Sequence, residues 1–449
     1  MSQRYDYDER FLDSTNITIL ARQNNGYTEN QKVIFEIPKI NDTLAINQAE
    51  CYIKFNIFMR ATFVTAWELP GMVLDNGAHS VFYNIKLFDN YNGKLLSEID
   101  DYPAVYMAYQ DLTRSMPNMF SNSTMEGIGS YSPNVGISPE SYSLNSCIGL
   151  KSTTVENKTM TLNTSLVLPL YLFPQFNMFN KELIPIYITK NGYRLEMILS
   201  PRDYCLSNIN AASERFPIVG ADISNYNYTL NDIELNLTYV KPFQLLKQIQ
   251  FHDIGIDHNR FNKSGDGNVT LQIQIQMYKR IRTLMIIPRY TSQFTINNAT
   301  ISSRWRMNIN NLQIRFANEY LFDTPLSSSV TPFTNANNDG IYDVAKIYAE
   351  CKKAFIHSYN YDTGGSINGA NFMQNNYSNP ITSSQPGKFL IALDMNKIHY
   401  NSRGNNQNLI ITFSCQGAGL DSNEKVFDVF IFYHKDYLFE EGKDIISIQ

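Results

Sequence analysis

Charge is scarce in this 449-residue sequence, where Asp, Glu, Lys and Arg make up 18% of positions against roughly 25% in ordinary soluble domains. The net charge is −5 and no long Lys/Arg run is present, which disfavours direct, strong nucleic-acid binding through a basic arm. Trp occurs twice. No stretch approaches the roughly 18 apolar residues of a transmembrane segment. The opening MSQRYDYDERFLD has no apolar core of a signal peptide, so a cytosol-like compartment is expected. Five cysteines, Cys51, Cys147, Cys205, Cys351 and Cys415, stand singly without a CxxC pair; their odd number and that compartment predict free thiols. Sequons at Asn16, Asn163, Asn236 and Asn298 read as chance matches in an Asn-rich chain.

Catalytic signatures are missing too. HExxH, GxSxG, a P-loop and a GxGxxG opening a helix do not occur, so no enzyme activity, catalytic residue, cofactor or metal is expected. Three weaker candidates remain. His252-Asp253 and Asp257-His258, in HDIGIDH, offer ligand types, but on a strand residues five apart point to opposite faces; a solvated loop before Leu271 is the expectation. Asp362-Thr-Gly-Gly lacks the second Asp-Thr-Gly that an aspartic protease needs and reads as a turn. Lys279-Arg280-Ile281-Arg282 is the densest basic patch and reads as a strand end at a subunit contact.

What is present is apolar alternation. Aromatics make up 13% of the chain, with Tyr 29 and Phe 27, enough for large cores. Ile233, Leu235, Leu237 and Tyr239 alternate with polar residues up to Lys241-Pro242, a strand that proline should end. It divides the chain into two β domains, 31–241 and 242–439. The flanks, 1–30 and 440–449, are polar and read as an arm and a tail that order only against partners.

In the first domain, strands are expected at Val33–Ile37, Glu50–Met59, Val81–Phe88, Lys94–Ile99, Leu166–Leu172, Ile184–Thr189 and Tyr193–Leu199. Cys51, Ile53, Phe55, Ile57 and Met59 should share a face. Asn92-Gly93 and Asn191-Gly192 supply turns. Val105, Ala108, Leu112 and Met116 have the spacing of a short amphipathic helix in 104–116. The second domain repeats the order. Its strands are Phe251–Ile256, Leu271–Met277, Leu284–Ile287, Phe294–Ile296, Trp305–Ile309, Leu312–Phe316, Phe389–Leu393, Leu409–Cys415 and Val426–Tyr433, with a helix over 339–355. Polar excursions at 117–158 and 358–386 interrupt the halves; segments of that length are commonly functional or interface-forming. Strands of this number and spacing argue for an all-β chain of two tandem eight-stranded jelly rolls.

The sequence also resembles a family. VFYNIKLFDNYNGKLLSEIDDYPAVYMAYQDL, LVLPLYLFP, ELIPIYITKNGYRLEMILSP and YNYTLNDIELNLTYVKP in the first half, with KRIRTLMIIPRY and SRWRMNINNLQIRFANEYLFDTPL in the second, are similar to the double jelly-roll major capsid proteins of the adenovirus-like lineage. Those of virophages, Polinton-like viruses and adintoviruses are the nearest in pattern. The resemblance implies a structural protein of the virion: a homotrimer whose six rolls form a pseudo-hexameric capsomer, assembled in a cytosol-like or nuclear compartment into an icosahedral capsid around double-stranded DNA. Neighbouring capsomers, penton and minor capsid proteins would be its partners. Other readings are a glycan-binding or glycoside-hydrolase β-sandwich, disfavoured by dispersed carboxylates, an Ig-like adhesion protein, and a single-roll minor capsid protein of the vertex.

Overall fold

Alternation of apolar and polar residues resolves into antiparallel sheets packed in pairs. The computed structural model describes residues 11–23, 25–63, 70–75, 77–114, 125–127, 149–151, 158–170, 172, 183–210, 223–276, 279–291, 304, 308–316, 319–328, 345–355, 372, 389–396, 407–416 and 424–448. The first half contains β1 (Phe11–Leu20), β2 (Asn25–Tyr27), β3 (Lys32–Ile37), β4 (Ala45–Asn47), β5 (Tyr52–Phe63), β6 (Pro70–Leu74), β7 (Phe82–Asp89) and β8 (Leu95–Ile99). Helix α1 (Tyr102–Thr113) follows, then β9 (Gly149–Lys151), β10 (Lys158–Pro169), β11 (Leu183–Ile184), β12 (Tyr193–Leu199), β13 (Leu206–Asn210) and β14 (Ile223–Pro242). The second half contains β15 (Gln248–Lys263), β16 (Gly267–Ile275), β17 (Ile281–Tyr290), β18 (Asn308–Phe316) and β19 (Glu319–Tyr320). After the helix Ala345–Lys353 come β20 (Ile391–Asp394), β21 (Gln407–Gln416), β22 (Lys425–Glu440) and β23 (Ile446–Ile448).

Ladders among the described residues stay within one half. In the second half, the sheets β15-β22-β17-β20 and β16-β21-β18-β19 make up a roll of eight strands, with β23 added beside β22. Phe413 of β21 meets Phe427 of β22 edge to face at 5.0 Å across that roll's core. The first half pairs β3-β12-β7-β8 with a larger sheet, β10-β5-β14-β4-β11, to which β1 and β2 are joined along β14; β13-β6-β9 form a third sheet. Phe55 of β5 and Phe82 of β7 meet edge to face at 5.6 Å between the two main sheets. The expected one-face pattern holds: Cys51, Ile53, Phe55, Ile57 and Met59 are all buried. Val269, Leu271, Ile273 and Ile275 of β16 likewise alternate with exposed glutamines.

Several expectations need correction. Residues 1–30 are not simply a free arm, because β1 pairs with β14 from Phe11↔Pro242 to Leu20↔Glu234. Ile17 and Ile19 pack on the core. On the other face Thr238 donates to Asn16 at 2.9 Å and Thr18 to Asn236 at 2.8 Å, cross-strand bonds that a reading of polarity alone overlooks. The 440–449 tail is also tied down. β23 pairs with β22, Lys190 bridges to Asp444 at 2.7 Å, and Lys94 Nζ donates to the Ile445 carbonyl at 3.0 Å. The expected strand Ile184–Thr189 shrinks to β11, since Pro185 leads into a 3-10 turn at Ile186–Ile188. The two strands expected around Trp305–Phe316 are one, β18, bent at Asn311, whose φ is 55°.

Helix α1 also departs from its expectation. It has no wet face: all twelve of its residues are buried. YPAVYMAYQDLT carries a single charge, and a helix without a polar stripe belongs inside a protein. The helix over 339–355 is described from Ala345, with Ile347 and Cys351 buried as expected. Phe294–Ile296, Trp305, Met116, Cys147, Asn298 and Asp362-Thr-Gly-Gly lie outside the described residues, as do the excursions 117–158 and 358–386 apart from Met125–Gly127, β9, Lys158 and Phe372.

Candidate functional site

Among the described residues, the most concentrated chemistry lies where the two halves meet. β22 is buried on both faces from Lys425 to Tyr433, because one face packs within its own roll and the other turns to the first roll. Asp428 interrupts that apolar run and is fully buried, so it requires partners. Arg260, its cross-strand neighbour on β15, donates to it at 2.6 Å. Arg289 of β17 approaches it at 3.4 Å, and His258 Nε2 lies 3.0 Å from it.

The first half answers with Asp100 and Asp101, at the turn before α1. Asp101 adopts the left-handed conformation, φ 48°, at the helix N-cap and makes no side-chain cap to its own helix. Its carboxylate instead accepts from Arg260 Nη2 at 2.9 Å and from the Tyr204 hydroxyl, to which Arg289 also donates at 2.9 Å. Asp100 lies 2.9 Å from His258 Nδ1. Three carboxylates, Asp100 and Asp101 of the first half and Asp428 of the second, thus surround three basic side chains of the second half, His258, Arg260 and Arg289, at the junction. The pairing decides the charge states. Burial opposes ionisation of Asp428, but Arg289, His258 and Arg260 hold its carboxyl well below the usual range. Burial pushes Asp101 up against the pull of Arg289, so Asp101 is the first of the two to take a proton on acidification. Burial pulls the His258 ring down, yet hydrogen bonds with Asp100 and Asp428 overcome this and raise it to about 9.

Asp101, His258 and Asp428 place candidate ligand atoms within 4.8 Å of one another. Arg260 and Arg289 already supply positive charge to those carboxylates, and a cation between them would meet both guanidiniums. The cluster therefore has the electrostatics of an ion network.

Other fasteners flank it. Arg304 of the second half meets Asp111 of α1 at 2.6 Å and also donates to the Phe389 carbonyl at 3.2 Å. Lys435 and Tyr437 of β22 both donate to the Leu96 carbonyl of β8. Between them an aromatic chain runs from α1 into the second roll. Tyr102 stacks on Tyr106 at 5.1 Å, and Tyr109 meets Phe355 edge to face at 5.3 Å, which meets Phe432 at 5.2 Å. At the foot of α1, His79 is sealed between the Tyr102 hydroxyl at 2.8 Å and Glu126 at 2.9 Å, with Arg114 3.2 Å from Glu126.

A polar cleft of about 420 Å³ opens beside the network, lined in part by Glu98, Asp100, Asp257, His258, Gln274 and Lys279. Its carboxylates are engaged: Glu98 with Lys86 at 2.8 Å, Asp257 with Lys279 at 2.6 Å, and Asp100 with His258.

The HDIGIDH segment is not a loop; it lies inside the sixteen-residue β15. Its polar residues suit a solvated loop, but on β15 they are engaged by partners that are distant in sequence. His252 and His258 go to different partners, His252 to Asp436 at 2.8 Å and His258 to the junction. The basic tetrad is largely spent internally: Lys279 pairs with Asp257 and lies over the Tyr433 ring at 4.3 Å, and Arg282 is buried. Asp100, Asp101, Arg260, Arg289 and Asp428 were not singled out from sequence; a lone Asp in VFDVFIFY was the signal that could have found the cluster.

The sequence matches no family model and no curated protein. Solved structures do resemble it. A chain of the Sputnik virophage structure matches with a TM-score of 0.63 at 11% identity, covering 100% of this chain and 90% of that one. The mavirus major capsid protein matches at 0.57 and 9% identity, covering 100% and 92%. The Faustovirus major capsid protein matches at 0.53 and 10%, covering 98% and 92%. At these identities the likeness is one of architecture, and it spans the whole chain: this protein has the double jelly-roll fold.

Proposed function

We propose that this chain is a major capsid protein, three copies of which form a pseudo-hexameric capsomer that tiles an icosahedral shell around double-stranded DNA. The observation that carries the reading is the double roll running end to end, matched over nearly the full length of the mavirus and Faustovirus major capsid proteins. Two rolls side by side, meeting near Lys241-Pro242, make one third of a hexagon. A three-fold axis closes the ring through heterologous contacts, one roll of a subunit against the other roll of the next. Neighbouring capsomers, penton and minor capsid proteins would contact its periphery, and the capsid of the virion is its location. In this reading the junction network is structural and no residue is catalytic. The engaged carboxylates of the cleft support that, since a glycoside hydrolase needs a free acid and base pair.

Gel filtration with light scattering tests the oligomer. The expected mass is that of three 51.6 kDa chains, held below about 1 µM, as an obligate interface of more than about 2,000 Å² allows. Low charge density leaves little for about 1 M salt to screen. A mass of one or two chains across the dilution series overturns the capsomer.

A further inference from the structure

We propose that the junction cluster is an ionic lock that fixes the second roll against the first, and that His258 is the member through which alkali opens it. The argument is geometric. His258, like Arg260 and Arg289, bonds both halves, and it does so through opposite edges of its ring: Nδ1 is 2.9 Å from Asp100 of the first roll, and Nε2 is 3.0 Å from Asp428 of the second. Both partners are carboxylates, so only the doubly protonated imidazolium, with a donor on each nitrogen, satisfies both contacts. The ring is held in place by stacking on Phe430 at 4.5 Å, and its side chain is 7% exposed.

Four elements around it supply charge, and β16 adds the neutral Gln274. Asp100 and Asp101 come from the turn before α1, Asp428 from β22, Arg289 from β17 and Arg260 from its own strand. Tyr204 adds a hydroxyl that donates to Asp101. Glu98 and Lys279 face it across the cleft, beside Asp257. With the imidazolium in place, three cations balance three carboxylates. Loss of its proton leaves two cations against three carboxylates and turns one ring nitrogen into an acceptor facing a carboxylate, an arrangement that repels in a poorly solvated junction.

The sign follows. The ring titrates at about 9 in the folded chain, above its ordinary 6.5. Its contribution to stability is therefore complete below pH 6.5 and is lost as pH rises through about 9. Such a lock is closed throughout the physiological range, and alkali is the condition that removes its His258 link.

The test uses the full chain. Carbon-13 labelling of histidine, with the His258 resonance assigned by its disappearance in His258→Gln, should show a midpoint near pH 9; a midpoint at or below 7 overturns the proposal. Hydrogen exchange, corrected for intrinsic rates, reads the junction itself. In the wild type, protection of the segments around Asp101–Tyr106 and Asp428–Tyr433 should fall between pH 8 and 10, while the rest of β12 and β16 keeps its protection. In His258→Gln those two segments should already be open at pH 7.5 and show no further alkaline loss. Equal protection of the junction in wild type and variant at both pH values, or a uniform loss over the whole chain in both, overturns the lock. If the variant does not fold, the local pattern of wild-type exchange between pH 8 and 10 still decides it.

Discussion

Arg304 and Asp111 stand 193 positions apart in the sequence and meet at 2.6 Å, their side chains 2% and 0% exposed. One belongs to the second half of the chain and the other to the helix inserted in the first, so this contact, like the Asp101 and Asp428 cluster, is made by the rolls docking. Charges placed there are costly to desolvate and are held only by accurate pairing.

Removing one partner should therefore damage the chain more than removing both. Arg304→Met or Asp111→Leu alone is expected to cost about 3 to 5 kcal/mol, because each leaves an uncompensated buried charge. The double variant should recover most of that loss. Urea melts of the two single variants and the double give the answer: additive losses would show that the two residues act independently.

Deletion of residues 1–20 is expected to destabilise the first roll. It strips β14 of its partner from Glu234 to Pro242 and uncovers an edge carrying buried Leu235 and Leu237. The truncated chain should melt several degrees lower, at about 2 to 4 °C per kcal/mol for a domain of this size, and should aggregate on heating. An unchanged melting temperature would return these residues to the role of a detachable arm.

Thiol chemistry should be silent in the native chain. Cys51, Cys205, Cys351 and Cys415 are free and buried, and burial pushes the thiols of Cys51 and Cys351 up to about 12. A thiol-reactive dye at pH 8 should label these four only as the chain unfolds. Reducing agent should leave the melting temperature unchanged; a fall on the scale of a lost disulfide, about 2 to 4 kcal/mol, would contradict this.

The sequence by itself determined the strands and the faces they bury. Alternation in 52–59 and in LQIQI of 271–275 could satisfy only a half-buried strand, and both lie where expected, in β5 and β16. The repeated order of elements likewise carried the double roll, since period-two burial is a local property that neighbouring residues encode. Local reading failed where a residue's partner is remote. Ser14 to Leu20 looked like an arm because the strand that completes its ladder lies more than 200 positions away. HDIGIDH reads as a loop because the partners of its polar residues are remote in sequence, His258 reaching Asp100 of the other roll and His252 reaching Asp436. Asp101 stands at the N-cap of α1, yet its carboxylate goes to Arg260. A charged side chain announces in sequence only that it needs a partner; which partner it gets is decided by the docking of two cores, because distance in space is fixed by packing and not by separation along the chain.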